Sequence, residues 1–547
     1  MCCRDGKVEL RKIKEAPEYL KRLLSSTDDS ECSKFKELIR VYNSCYAFTS
    51  MGAKIDHSVN TNSGPYVFRI SGQVLHRIGS LLPPDDQDPS YAQLYVYDSS
   101  SEIAMREKAV GKSEGSPKLD TEILARLKDM LDEVNPLTKT FRMAQERLKE
   151  QSDKRLSIRL LGTRNHRDKT YNTPIASEIA ALIVDSTGDQ IKGKDIIIEH
   201  KTHGLQRISE LHPSYMALQY PLLFPYGEDS YHTEIPYIDQ GQGGKRKNVT
   251  MREYYAYRVQ QRISEGSTLL CGGRLFQQFL VDSCCAIESE RLWYIKNNQD
   301  KFRCDILNNL CDAVANGDCM GYAVGKRVYM PPSFTGGPRY MQQCYQDAMA
   351  ICRWYGNPHL FITFTANPKW PEIEAMLQLI PGQKVEDRPD IVARVFRFIK
   401  KGVHQLDNRS IVPYNPGLLL MFDAHINVEW CNTAKAIKYL FKYISKGPDK
   451  ATFMIKDDSQ DEVKAYLDCR YLSASEAAWR IFEFEIQERY LAVIRLPVQL
   501  KGEQAVIIMD HDVLQVVIDK KSNVDTMLSA WMKKNAECQD ARTLTYA

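Results

Sequence analysis

Two tyrosines and four lysines form the pattern with the most direct chemical consequence. Read as an α-helix, the run from Thr433 to Lys446 puts Ala434, Ile437, Leu440, Phe441 and Ile444 on one apolar face. Tyr439 and Tyr443, at i and i+4, then stack on the opposite side beside Lys435, Lys438, Lys442 and Lys446. An exposed phenol in a positive field is a candidate nucleophile toward a phosphodiester, since lysines neutralise the DNA backbone and favour phenolate. The same spacing fits a surface helix whose tyrosines only cover neighbouring side chains. Residue types alone leave both readings open.

The chain that must position these residues has 547 of them, 43% hydrophobic and 26% charged, enough for several domains with real cores. Its 73 basic and 70 acidic residues nearly cancel, so any nucleic-acid surface has to be local. Fifteen cysteines, without a C-x-x-C pair, favour reduced thiols inside a cell. No stretch approaches the roughly 18 consecutive apolar residues that span a bilayer, and no early apolar segment suggests a secretory signal.

Along the chain, helical patterns are expected near Arg11 to Leu24 and Ser33 to Tyr46, and strands at Pro65 to Ser71 and Ala92 to Asp98. The polar stretch Gly111 to Lys118 reads as a linker. Asp120/Thr121 and Asn135-Pro136 open two amphipathic helices. Strands follow at Arg155 to Gly162 and Asp195 to His200, then the aromatic, proline-rich run His212 to Asp229. Tyr254 to Asn297 is helical in pattern, a second α/β region starts near Gly321, and Leu360 to Thr365 is a strand.

Two long blocks make a resemblance specific. PPSFTGGPRYMQQCYQDAMAICRWYGNPHLFITFTANPKWPEI (Pro331 to Ile373) and PYNPGLLLMFDAHINVEWCNTAKAIKYLFKYISKGPDKA (Pro413 to Ala451) resemble the Helitron helicase-like amino-terminal domain. Shorter likenesses lie at His212 to Asp229, Arg252 to Arg262 and Arg470 to Ile486. That family pairs a tyrosine endonuclease of the HUH class, called Rep, with an ATP-dependent DNA helicase in a rolling-circle transposase. The resemblance implies a multidomain α+β protein with a Rep-like antiparallel sheet flanked by helices, incomplete here, plus helical segments. It divides the chain into an amino-terminal α+β region (1–110), a linker with amphipathic helices (111–154), an α/β region (155–251), the Rep domain (252–451) and a segment preceding the helicase (452–547). It assigns Tyr439 and Tyr443 as catalytic tyrosines, the four lysines as DNA-binding, single-stranded DNA as partner, Mg²⁺ or Mn²⁺ as cofactor and the nucleus as location.

The family's metal ligands are not written in this chain. An HUH enzyme places two histidines, one residue apart, on a central strand, so that both side chains hold a cation beside the phosphate. None of the 11 histidines forms H-x-H. ARVFRFIKK (Ala393 to Lys401) runs directly into GVHQLDNRSIVPYNP, which looks like two family segments joined across a deletion near 401/402, and such a loss would expose sheet edges. His425 is expected to be structural, and His200, His203 and His212 to lie in a solvated loop, matching no zinc spacing. GYAVGKR (Gly321 to Arg327) lacks the glycine spacing and hydroxyl of a P-loop, so the helicase motor is expected to be absent, with the carboxy terminus truncated and Cys2-Cys3 a remnant of a zinc-binding segment. The expected function is therefore that of a catalytically defective Rep-like chain. The alternatives are a non-catalytic single-stranded DNA-binding module and an intact nuclease whose HUH segment is lost only from this reading of the gene.

Overall fold

A computed structural model of the chain describes residues 3–25, 29–61, 64–84, 87–97, 101–110, 118–150, 156–162, 180–184, 195–199, 204–238, 246–299, 304–321, 328–356, 358–401, 416–424, 426–431, 461–488, 493–496, 498–509 and 511–546. Its strands are β1 (Ser50–Ile55), β2 (Arg69–Ile78), β3 (Leu156–Leu160), β4 (Ala180–Val184), β5 (Ile196–Ile198), β6 (Gln206–Arg207), β7 (Cys304–Ile306), β8 (Leu360–Phe364), β9 (Ile426–Trp430), β10 (Tyr471–Ser473) and β11 (Ala505–Ile507). They make a mixed α+β architecture of several small sheets flanked by helices. The chain forms two compact units. The first contains 1–287, 366–405 and 472–484; the second contains 288–365, 406–471 and 485–547.

The first unit has the larger core. The helix Ser30–Tyr46 begins where Asp29 accepts the Glu31 N–H, and it buries Phe35, Ile39, Tyr42 and Tyr46. Helices Thr121–Val134 and Pro136–Glu150 start as their sequence signals require. Asp120 accepts the N–H groups of Glu122 and Ile123, and Asn135 accepts those of Leu137 and Thr138 just ahead of Pro136. A β1-β2-β10 sheet, with β6 also paired to β2, and a β4-β3-β5 sheet complete the unit. β1 and β2 are antiparallel, with Met51 opposite His76.

Two expectations in this unit are corrected. The helical pattern at Arg11 to Leu24 becomes a helix only from Glu18 to Ser25, because the residues before it run without helix or strand. The strand expected at Ala92 to Asp98 is instead a 3₁₀ turn, Tyr91–Tyr95. There Ser90 and Gln93 form a reciprocal cap, and the buried Tyr95 hydroxyl donates to the Tyr46 carbonyl at 2.6 Å. Local capping and burial of one aromatic outweigh the alternating pattern.

The helix Arg274–Asn297 contributes residues to both units, changing over at 287/288. Within the first, Gln277 accepts the Phe68 N–H at 2.7 Å and donates to the carbonyls of Tyr66 (3.0 Å) and Glu386 (2.6 Å). That one side chain fastens the segment around Glu386 to the core. Beyond it, Arg388 forks onto Asp390 with two 2.9 Å bonds, and both residues are fully buried. Arg394 closes on the same carboxylate at 2.7 Å. The helix Pro389–Lys401 then packs Phe396 against Trp370 and Trp479.

The second unit is built from smaller pieces. Leu307, Leu310, Val506, Ile508, Leu514 and Ile518 form one cluster beside the two-stranded β7-β11 sheet. Leu292, Ile295, Met330, Phe334, Val463 and Tyr466 form another. β8 and β9 make a second two-stranded sheet. Isolated two-stranded sheets are marginal in water, so this unit depends on its helix contacts and ion pairs.

Candidate functional site

Of the two long family-like blocks, the one from Pro331 to Ile373 lies almost wholly among the described residues. Gly337 is required at its start, because a Cβ there would meet Met330 Sδ at 2.9 Å and the Phe334 carbonyl at 3.0 Å. Pro338 then occupies the first position of the helix Pro338–Tyr355, where its missing N–H costs nothing. Arg339 lays its guanidinium over the Tyr329 ring and forks onto the buried Glu462 at 2.7 and 3.2 Å. Glu462 also accepts the Met330 N–H at 2.8 Å. The buried face of the helix carries Met341, Cys344 and Asp347, and Arg495 grips Asp347 at 2.6 and 3.1 Å.

With its one acid occupied inward, the outer face of this helix is neutral to basic. It presents Tyr345, Met349, Arg353, Trp354 and Tyr355 to solvent, Trp354 being 81% exposed. Trp293, on the helix Arg274–Asn297, is 67% exposed. Indole and phenol rings left in water next to arginine can stack on unpaired bases. By contrast Tyr254, Tyr255 and Tyr257 are buried, as packing residues should be.

After Gly356, at φ 87°, the chain enters β8. β8 pairs antiparallel with β9 in the register Leu360↔Trp430, Ile362↔Val428 and Phe364↔Ile426. His359 stacks on Trp430 with centroids 6.0 Å apart, and the Cys431 N–H donates to the His359 carbonyl at 2.8 Å. Among the described residues the sheet has no third strand. Trp430 is half exposed, and Leu420 and Met421 of the preceding helix Pro416–Phe422 are exposed as well. The sequence reading does not single out Trp430 or His359. Their meeting depends on two strands far apart in the chain, for which no local pattern exists.

Tyr439, Tyr443, Lys435, Lys438, Lys442 and Lys446 lie outside the described residues, as do His425, His200, His203 and the junction from 402 to 415. His212 is described, and it corrects the solvated-loop expectation. It is buried at a turn, where its Nδ1 accepts the Ser214 N–H at 3.1 Å. Among the described residues no three His, Cys, Asp or Glu side chains gather in a way that could hold a metal ion. No helix among the described residues is long and apolar enough to cross a membrane.

A polar cluster that the sequence did not reveal lies in the first unit. Asp282 Oδ2 sits 2.6 Å from His76 Nε2 and accepts the Tyr220 hydroxyl at 2.7 Å, while Tyr215 stacks on the His76 ring at 4.0 Å. All four residues are fully buried, so none can touch a DNA strand. Their role is to hold β2 to the helix Arg274–Asn297.

Residues 254–408 match the family model described as the Helitron helicase-like domain at the N-terminus. No curated protein matches the chain. The matched span takes in the helix Pro338–Tyr355, β8 and the helix Pro389–Lys401, and it is a distant, partial likeness to the Rep-like part of Helitron proteins.

Proposed function

We propose that this chain is a Rep-like protein derived from a Helitron transposase, related to strand nicking and transfer but unable to carry it out. The observation that carries the reading is a family-like sequence whose 11 histidines contain no H-x-H pair. A phenol attacks a phosphodiester readily only when the phosphate is polarised, and the family's means of doing so is a cation held by that pair. Tyr439 and Tyr443 are then descendants of the nucleophile pair. The region from 252 to 451 corresponds to the Rep domain, and the nucleus is its expected location. Incubation with 5′-labelled single-stranded DNA and Mg²⁺ or Mn²⁺ should leave the strand at full length; metal-dependent shortening would refute the proposal.

A second reading is favoured by the exposed rings of Trp293, Trp354 and Trp430: the chain binds single-stranded DNA without cutting it. Tryptophan fluorescence should then be quenched on adding oligo(dT), with affinity falling steeply as salt rises. Quenching that is absent at low salt would count against this reading. Sequencing the transcript across Lys401/Gly402 separates both from an intact nuclease lost in the gene reading.

A further inference from the structure

Four exposed rings lie around the turn by which the helix Pro338–Tyr355 passes into β8, all of them in the second unit. Trp354 and Tyr355, 81% and 65% exposed, close the helix, and Gly356 turns the chain. His359 stands exposed one residue ahead of β8. The β8–β9 register then sets Trp430 opposite Leu360, so a distant part of the chain delivers the fourth ring to the same turn. His359 lies against Trp430 with the two planes 25° apart, and 51% of Trp430 is still open to water.

Single apolar residues are ordinary on a protein surface, but a concentration of rings around one turn marks a contact site. The ring types indicate what the contact is. Indole, phenol and imidazole each join a flat face to a polar edge, unlike the aliphatic side chains that seat a helix in a groove. An unpaired base has the same construction, and its faces stack on such rings whatever its sequence. Charge agrees with a polyanion. From Pro338 to Thr365 the one acid is Asp347, which is buried and gripped by Arg495, while Arg353 is exposed beside Trp354.

We propose that this turn is a two-seat platform for the unpaired bases of single-stranded DNA, one seat formed by Trp354 and Tyr355 and the other by Trp430 backed by His359. The proposal rests on the single-strand reading above and adds which part of the strand is held: the bases, with Arg353 left to meet phosphate. Tyr355 and His359 are four residues apart, so their Cα atoms are separated by no more than about 14 Å. A stacked strand rising about 3.4 Å per nucleotide covers that distance with about four nucleotides, so a short oligonucleotide fills both seats.

The test titrates the full chain, by tryptophan fluorescence at low salt, with an oligo(dT) of about six nucleotides and with a strand of equal length and charge whose sugars carry no bases. Oligo(dT) should quench, and the base-free strand should bind at least tenfold more weakly. Trp354→Ala and Trp430→Ala should each weaken oligo(dT) binding at least about fivefold, whereas Trp430→Phe, which keeps a ring, should retain most of it. Equal binding of the two strands overturns the platform and leaves single-strand binding standing, and so does a Trp354→Ala chain that binds oligo(dT) as the unaltered chain does. Trp354 is exposed enough that its removal does not endanger folding, so that arm stands even if the Trp430 variants fail to fold. Absence of oligo(dT) binding by the unaltered chain overturns the platform and the single-strand reading together.

Discussion

Replacing Glu228 by Gln should stabilise the protein above neutral pH and leave it unchanged in acid. The carboxylate lies in the His212 to Asp229 run, where its Oε2 accepts the Tyr226 N–H at 3.1 Å and its Oε1 is buried with no hydrogen-bond partner. Burial pushes its pKa from the ordinary 4.5 up to about 7, against the opposing pull of its backbone hydrogen bonds and of Arg258 and Lys14. The folded state therefore binds the proton more tightly than the unfolded state does. Stability from this group is fully present below pH 4.5, falls as pH rises through 7, and is flat beyond. Each unit of pKa corresponds to about 1.4 kcal/mol, so the wild type loses roughly 2 to 3.5 kcal/mol across that window, the lower figure allowing for residual exposure. Glu228→Gln keeps the acceptor for Tyr226 and removes the titration. Urea midpoints measured from pH 4 to pH 9 should coincide at the acid end and separate by that amount above pH 7. Parallel curves, or a variant no more stable than the wild type at pH 8, would contradict a raised pKa at Glu228.

Further outcomes follow from other sites. Asp390→Asn should destabilise the first unit by about 3 to 5 kcal/mol, read as a shifted denaturation midpoint. Burial alone would raise the Asp390 carboxyl, but Arg388 and Arg394 hold it below the usual range, and removing its charge leaves two guanidinium groups uncompensated. Trp354→Ala and Trp430→Ala should each weaken oligo(dT) binding by about 1 to 3 kcal/mol in a fluorescence titration, with little change in the denaturation midpoint, since both rings are exposed. Raising salt from 50 to 200 mM should weaken that binding at least tenfold if lysine and arginine contacts to phosphate dominate.

What the sequence made legible was whatever rests on local chemistry. Asp120 and Asn135 announce their helices because a side-chain acceptor must sit beside the first turn's unpaired N–H groups, and both do. β3, β5 and β8 were visible as short strand-like runs, while the helical pattern read from Tyr254 to Asn297 resolves into two helices, Met251–Arg258 and Arg274–Asn297, with 259–273 outside both. The apolar spacing from Arg11 to Leu24 misled, because Ile13 is buried by a groove made of residues more than two hundred positions away. Ala92 to Asp98 misled for a related reason: Tyr95 answers to Tyr46, and not to alternation along a strand. Which tryptophans face water was not legible. Composition cannot say which tryptophans a core will bury, and Trp370 is covered while Trp293 and Trp354 are not.

The chemistry itself is decided by one gel. Protein, single-stranded DNA and Mg²⁺ or Mn²⁺ are mixed, denatured and run beside the doubly substituted Tyr439→Phe/Tyr443→Phe chain. Neither lane should show a protein band shifted by attached DNA. A shifted band with the unaltered chain that vanishes with the substituted one would mean that the phenols still attack phosphate, and the claim of lost strand transfer would fall.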